Sequence, residues 1–121
     1  MIGIGNDLVD IDRFRRALER TPSLRERIFT EAERNYADAR ADPAERYAVR
    51  FAAKEAVMKA LGVGLGDIAL RDIEVQRTES GAPEIALHGS AAQLAATRGV
   101  SRWLVTLSHS ETVAQAIVIA L

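Results

Sequence analysis

The sequence predicts an α+β protein, an antiparallel sheet with helices inserted after its first strand, and three observations predict it. Ile2 to Val9 alternates around Gly3 and Gly5 with the period of a strand. The segment from Asp10 to Gly62 carries helix spacing, caps and breakers. The second half then reads as short strands joined by tight turns. Runs of strands and helices that do not alternate regularly point to α+β layers rather than a parallel sheet.

Each element has its own signal. Asp10 or Asp12 is placed to cap a helix running to about Arg20. Ile11, Phe14 and Leu18 fall on one face of it, and Arg13, Arg16 and Arg20 on nearly the opposite face. Thr21-Pro22-Ser23 breaks the chain. Thr30 and Glu33 fit a capping box that opens a helix toward Arg40. Pro43 suits the first turn of the next helix, which runs to about Leu61 and stops at Gly62. Val63 to Asp67 is a glycine-rich loop. Ile73 to Thr78 and Pro83 to Leu87 form a hairpin about Ser80-Gly81. Ser90 caps a short alanine-rich helix ending near Gly99. Arg102 to Ser108 and Thr112 to Ala120 are the last two strands. No repeat or linker divides residues 1–121, so one domain is expected.

Composition excludes several classes of function. There is no cysteine, so disulfides, thiolate metal sites and cysteine nucleophiles are ruled out. No apolar run approaches the roughly 20 residues of a membrane span. The N-terminus has no basic region of the signal-peptide type. A cytoplasmic protein with no membrane partner is expected. Net charge is -1, yet Ile11 to Arg27 holds six arginines against three acids. A local basic surface on a near-neutral chain suggests an anionic partner rather than nucleic acid in bulk. Fourteen of the sixteen basic residues are arginine, and both lysines, Lys54 and Lys59, fall in one helical window. Lysine is a compact point charge and arginine a planar fork, so the pair hints at a tight site; chance is the plain alternative.

The candidate chemistry centres on that helix. Tyr47, Phe51 and Met58 form an apolar stripe, with Arg50 and Lys54 on one side and Glu55 and Lys59 on the other. Ala48, Ala52, Ala53, Ala56 and Ala60 let neighbouring backbone come close, so its charges are expected to be partly buried and to need partners. The plain reading of Glu55 and Lys59 is a surface pair worth about 0.2–0.5 kcal/mol. Asp7 is read at the end of the first strand, where it either binds a metal or caps the following helix. His109 shares strand parity with Trp103, Val105 and Leu107, facing core or cleft; a structural role is the alternative. His88 reads as an ordinary turn residue. Gly3-x-Gly5 lacks a third glycine at dinucleotide-fold spacing, and no phosphate loop of the GxxxxGK[ST] kind is present. With few histidines and no cysteine, Mg²⁺ held by carboxylates and substrate phosphates fits better than zinc. A non-catalytic module gripping an anion with its arginine helix would explain Arg13 to Arg27, but not Asp7, Glu55 and the lysines together.

GIGNDLVDIDRF, RFAAKEAVMKALGVGLG and VTLSHSETVAQAIVI, in this order and spacing, resemble the holo-acyl-carrier-protein synthases, the small 4′-phosphopantetheinyl transferases. The resemblance spans nearly the whole chain. It implies the 4′-phosphopantetheinyl transferase-like fold and a reaction of fatty acid biosynthesis: a serine of apo acyl carrier protein attacks the β-phosphate of coenzyme A, and adenosine 3′,5′-bisphosphate leaves. It implies Mg²⁺ on Asp7 and Glu55, with Glu55 and Lys59 catalytic. Arg50, Lys54, Lys59, Gly62, Gly64 and His109 match positions expected near the cofactor. Arg13, Arg16 and Arg20 match the face that docks the acidic carrier. A homotrimer with sites between subunits is implied as well. An enzyme of related fold serving a different carrier domain is the neighbouring reading.

Overall fold

The computed structural model describes residues 1–121. β1 (Gly3–Asp10) leads into α1 (Ile11–Arg20), α2 (Leu24–Ile28), α3 (Glu31–Asp38) and α4 (Pro43–Leu61). A 3₁₀ turn at Leu70–Asp72 precedes β2 (Ile73–Arg77) and β3 (Pro83–Leu87), then α5 (Gly89–Thr97), β4 (Trp103–His109) and β5 (Val113–Ala120). The strands make two sheets, β1-β5-β4 and β2-β3, and every pairing is antiparallel. This is the α+β arrangement expected, with four helices inserted after the first strand.

α4 is the centre of the molecule. Thirteen of its nineteen residues are buried, and apolar clusters lie on both sides of it. One cluster joins it to the three-stranded sheet and α5; the other joins it to α1, α2 and α3. The alanines explain how it fits. A Cβ on Gly5 would stand 1.8 Å from the Ala56 carbonyl oxygen, and one on Gly3 would stand 2.0 Å from that of Ala60. β1 therefore lies directly on the α4 backbone, and Gly3-x-Gly5 serves that approach rather than a phosphate. Side chains alternate on a strand, so Asp7, two residues beyond Gly5, is carried onto the same α4-facing side.

Several local signals form as expected. Asp10 caps α1 through the Arg13 N–H at 2.8 Å. Thr30 and Glu33 make both halves of a capping box. Gly62 ends α4 with φ +71, the left-handed conformation glycine adopts without strain. Others differ. α2 carries no sequence signal, because at five residues it is too short to show a periodic face. α5 begins at Gly89 rather than being capped by Ser90, because the Ser90 hydroxyl and N–H both donate to Asp72. Asp7 does not end β1: the strand continues to Asp10, and Asp7 pairs with Ala116 in mid-ladder.

Candidate active site

The closeness of β1 and α4 brings Asp7 to one face of the helix. Lys59 Nζ donates to Asp7 Oδ1 at 2.8 Å and to the Asn6 carbonyl at 3.0 Å. The Asp7 side chain is 16% exposed and that of Lys59 53%, so the pair is partly open to solvent. Glu55, one turn before Lys59, is half-buried beside them. Burial pushes the Glu55 carboxyl above its ordinary pKa, the Asp7 charge pushes it further, and Lys59 opposes both. The expected Glu55–Lys59 surface pair is not made; Lys59 turns to Asp7 instead. Nor does Asp7 cap a helix, since Asp10 fills that role.

The Asp7 charge beside the half-buried Glu55 carboxyl makes a site that favours a cation. No group of three or more acidic or histidine side chains is gathered to hold a metal by itself. A hard divalent cation is the fit, because Mg²⁺ accepts one or two protein carboxylates and completes its shell with water and substrate phosphates. Asp7 and Glu55 would hold it, leaving Lys59 as a point charge for phosphate oxygens.

Beyond α4 the chain turns through Gly62 to Gly66. A Cβ on Gly64 would meet nothing within 4 Å, so its backbone is open to an approaching ligand, while its N–H is held by Asp67 Oδ2 at 2.9 Å. The Leu61 carbonyl, orphaned at the helix end, accepts from the Arg98 guanidinium. Arg98 carried no signal in the sequence, because it reaches Leu61 across 37 positions.

The remaining expected site residues are dispersed. His109 lies at the end of β4, exposed, with Nε2 3.4 Å from Glu45 Oε1. Arg50 is five positions along α4 from Glu45, about 140° around the helix, so the structure separates it from His109. Arg50 is 3% exposed and stacks on Tyr36 of α3. Lys54 requires a correction. It is fully enclosed, its ammonium donating to Glu33 Oε1 at 2.7 Å and to the carbonyls of Leu70 and Ile73. With all three protons bound and no exposure it offers a cofactor nothing. The two lysines therefore do not share a site: one ties α4 to α3 and β2, and the other faces Asp7.

On α1 the arginines divide. Arg15 makes a bidentate pair with Asp42 and also faces Asp12. Arg13, Arg16 and Arg20 are exposed, with no carboxylate partner. Arg13 and Arg20 edge an apolar cavity of about 480 Å³ floored by Phe14, Phe51 and Leu70.

Comparison with known proteins places this geometry. The family model of the 4′-phosphopantetheinyl transferase superfamily matches residues 3–118. This chain belongs to that superfamily. The chain is 47% identical to the holo-[acyl-carrier-protein] synthase of Moorella thermoacetica, covering 97% of this chain and 91% of that one. It is 50% identical to that of Syntrophotalea carbinolica, covering 97% and 93%. Among solved structures, the holo-[acyl-carrier-protein] synthase of Neisseria meningitidis superposes with a TM-score of 0.91 at 32% identity, over 100% of this chain and 99% of that one. The Helicobacter pylori synthase in complex with coenzyme A gives 0.86 at 28% identity, over 98% and 99%. The antiparallel sheets and the long central helix are thus the superfamily's fold, and Asp7, Glu55 and Lys59 lie where its β1 and α4 meet.

Proposed function

We propose that this chain transfers the 4′-phosphopantetheine group of coenzyme A to a serine of apo acyl carrier protein, releasing adenosine 3′,5′-bisphosphate and supporting fatty acid biosynthesis. The observation that carries the proposal is the meeting of Asp7, Glu55 and Lys59 where β1 crosses α4. Relatives named as holo-[acyl-carrier-protein] synthases, and a structure of one with coenzyme A, support it.

The chemistry follows from the residues. Asp7 and Glu55 would hold Mg²⁺, which when bound neutralises charge on the pyrophosphate and orients it. Lys59, half-exposed on a flexible stem, adds positive charge on the phosphate oxygens as the bond to the leaving bisphosphate breaks. The serine hydroxyl forms the new P–O bond and gives up its proton. Glu55 is the candidate acceptor for that proton. Gly62 and Gly64 let the cofactor lie against the backbone after α4, and His109 and Arg50 are further cofactor contacts in this reading. Arg13, Arg16 and Arg20 dock the acidic carrier, with the neighbouring cavity receiving an apolar side chain of it.

A homotrimer belongs to the same reading. Ile4, Leu8 and Leu104 are exposed on the outer face of the three-stranded sheet, which no helix of the chain covers. Light scattering on the wild-type chain and on Leu8→Glu checks it: the variant should fall to monomers and lose transfer. A cytoplasmic location also belongs to the reading, since the substrates are coenzyme A and a carrier protein. The deciding experiment incubates apo carrier with coenzyme A and Mg²⁺. A mass gain of one phosphopantetheine on the carrier serine is expected, and a carrier that binds but never gains mass overturns the proposal.

A further inference from the structure

The last turn of α4 carries Lys59, and the chain leaves it through a loose stretch. Gly62, Gly64 and Gly66 alternate just beyond the helix, and glycine gives the backbone its greatest freedom. Helix ends fray, and their last carbonyls need partners from outside the helix. In α4 the Met58 carbonyl accepts from the Gly62 and Val63 N–H groups, and the Lys59 carbonyl from that of Gly62. The Ala60 carbonyl faces Gly3 of β1. The Leu61 carbonyl accepts from the Arg98 guanidinium, and no other side chain donates to a carbonyl of this turn.

Arg98 is well placed to hold that carbonyl. Leu61 is 2% exposed, so without Arg98 its carbonyl would be a buried acceptor with no donor, which is costly. No carboxylate lies within 4.0 Å of the guanidinium, so its charge answers only the negative end of the helix. The side chain starts from a fixed base. Ala91 and Ala95 of α5 are buried in the same apolar cluster as Leu61. The Arg98 N–H donates to the Leu94 carbonyl at 3.0 Å, and the Val100 N–H to that of Ala95 at 2.9 Å. Lys59 lies two residues before Leu61, and its ammonium reaches Asp7 Oδ1 at 2.8 Å. A shift of the last turn would therefore shift Lys59 against Asp7, and the Gly62–Gly64 turn with it.

We propose that Arg98 is a positioning residue for the Asp7–Glu55–Lys59 site, fixing the last turn of α4 from α5 through the Leu61 carbonyl. Its hold on the helix end stands on the contacts alone; its part in transfer rests on the transferase reading.

The test compares the full wild-type chain with Arg98→Met, which keeps an unbranched stem and removes every donor at an exposed position. Amide hydrogen exchange reads the hold without coenzyme A or carrier. Exchange at Gly62 and Val63 should quicken about tenfold, the worth of one charge-assisted hydrogen bond, while amides of α1 and β5 stay as in wild type. Unchanged exchange at Gly62 and Val63, or a rise shared by the whole chain, overturns the local hold. Steady-state rates read the positioning. Arg98→Met should lower kcat for carrier modification about tenfold or more, as a small misplacement of a charged group does, and leave KM for carrier unchanged. In a Lys59→Ala background the same substitution should change kcat by less than about twofold, because the group it positions is gone. Equal fold-losses in both backgrounds, or a kcat unmoved by Arg98→Met, overturn the positioning role. A wild type that transfers nothing overturns the transferase reading, and with it that role, but not the hold that exchange has measured.

Discussion

Lys59 Nζ lies 2.8 Å from Asp7 Oδ1, although Glu55 is the acid one turn away on its own helix. The link runs across 52 positions, and it joins the two elements that position the site. Lys59→Ala should lower kcat for carrier modification by about 10²–10³-fold through lost stabilisation of developing phosphate charge. Lys59→Arg should restore little, because a planar guanidinium cannot replace a compact ammonium between Asp7 and the Asn6 carbonyl. Initial rates at saturating coenzyme A, carrier and Mg²⁺ measure this. A Lys59→Ala enzyme within a few-fold of wild type would leave Lys59 as no more than a tether for Asp7.

The crossing of β1 over α4 makes a sharper prediction about folding. Gly5→Ala would put a methyl 1.8 Å from the Ala56 carbonyl oxygen. That atom is backbone, so Ala56→Gly gives no relief. The strand must lift, and overpacking of this kind costs about 1–3 kcal/mol or more. Lifting β1 also moves Asp7, two residues on. The variant should therefore melt lower and lose Mg²⁺-dependent transfer even where it remains folded, as thermal melts and rates at a permissive temperature will report.

These two cases also divide what the sequence made legible. Strands, helices and caps were readable where the signal is local: Thr30 with Glu33, Asp10 before α1, Gly62 after α4. The small residues of β1 and α4 were readable as close packing, but not their meeting of Gly5 with Ala56. Asp7 gained its partner only through the fold, and no helical wheel contains that pairing. Lys54 shows the converse. Its place beside Arg50 and near Glu55 suggested a cofactor contact, and burial decided otherwise, because Glu33 and two carbonyls arrive from α3 and the start of β2. Periodicity names the face of a helix; which element covers that face is a long-range fact.

Lys54 and Glu33 are both fully enclosed, and their separation tests what the pair contributes. Burial pushes the Lys54 ammonium pKa down while Glu33 pulls it up, so each charge depends on the other. Lys54→Met leaves the Glu33 carboxylate buried without its cation and should cost about 3–5 kcal/mol. Adding Glu33→Gln should recover part of that loss, since a neutral amide needs no counter-charge. Urea unfolding of wild type, both single variants and the double variant gives the coupling. Additive single effects would mean that the pair is not coupled.

Glu74 gives a pH dependence. Burial pushes its carboxyl up, but bonds from the Thr30 hydroxyl, Gln76 and His88 outweigh that and hold it below its ordinary 4.5. A carboxylate with a depressed folded pKa stabilises the protein above its unfolded value, and that stability is lost as pH falls through the folded value. Glu74→Gln should therefore be less stable than wild type near neutrality, and the gap should close as pH drops from about 5 toward 3. Melting temperatures of the two proteins across that range measure it. A gap independent of pH would assign the loss to packing and not to charge.

α1 offers a comparison within one helix. Arg13 and Arg20 are unpaired beside the apolar cavity, whereas Arg15 is held by Asp42 at 2.6 Å. If the unpaired face docks an acidic carrier, Arg13→Glu should raise KM for carrier about tenfold or more, one such step being about 1.4 kcal/mol of lost binding. KM for coenzyme A should not move, because the substitution lies on α1, away from the Asp7–Lys59 pair. Arg15→Gln should leave carrier KM near wild type, as its charge is already matched by Asp42 and Asp12. Raising salt should weaken the wild type toward Arg13→Glu, since steering between exposed charges is screened within about 8–10 Å at physiological ionic strength. Steady-state rates with carrier varied at two salt concentrations separate the outcomes. Equal losses for carrier and coenzyme A would remove the docking role, and an Arg15→Gln effect as large as that of Arg13→Glu would make it a matter of net charge rather than of this face.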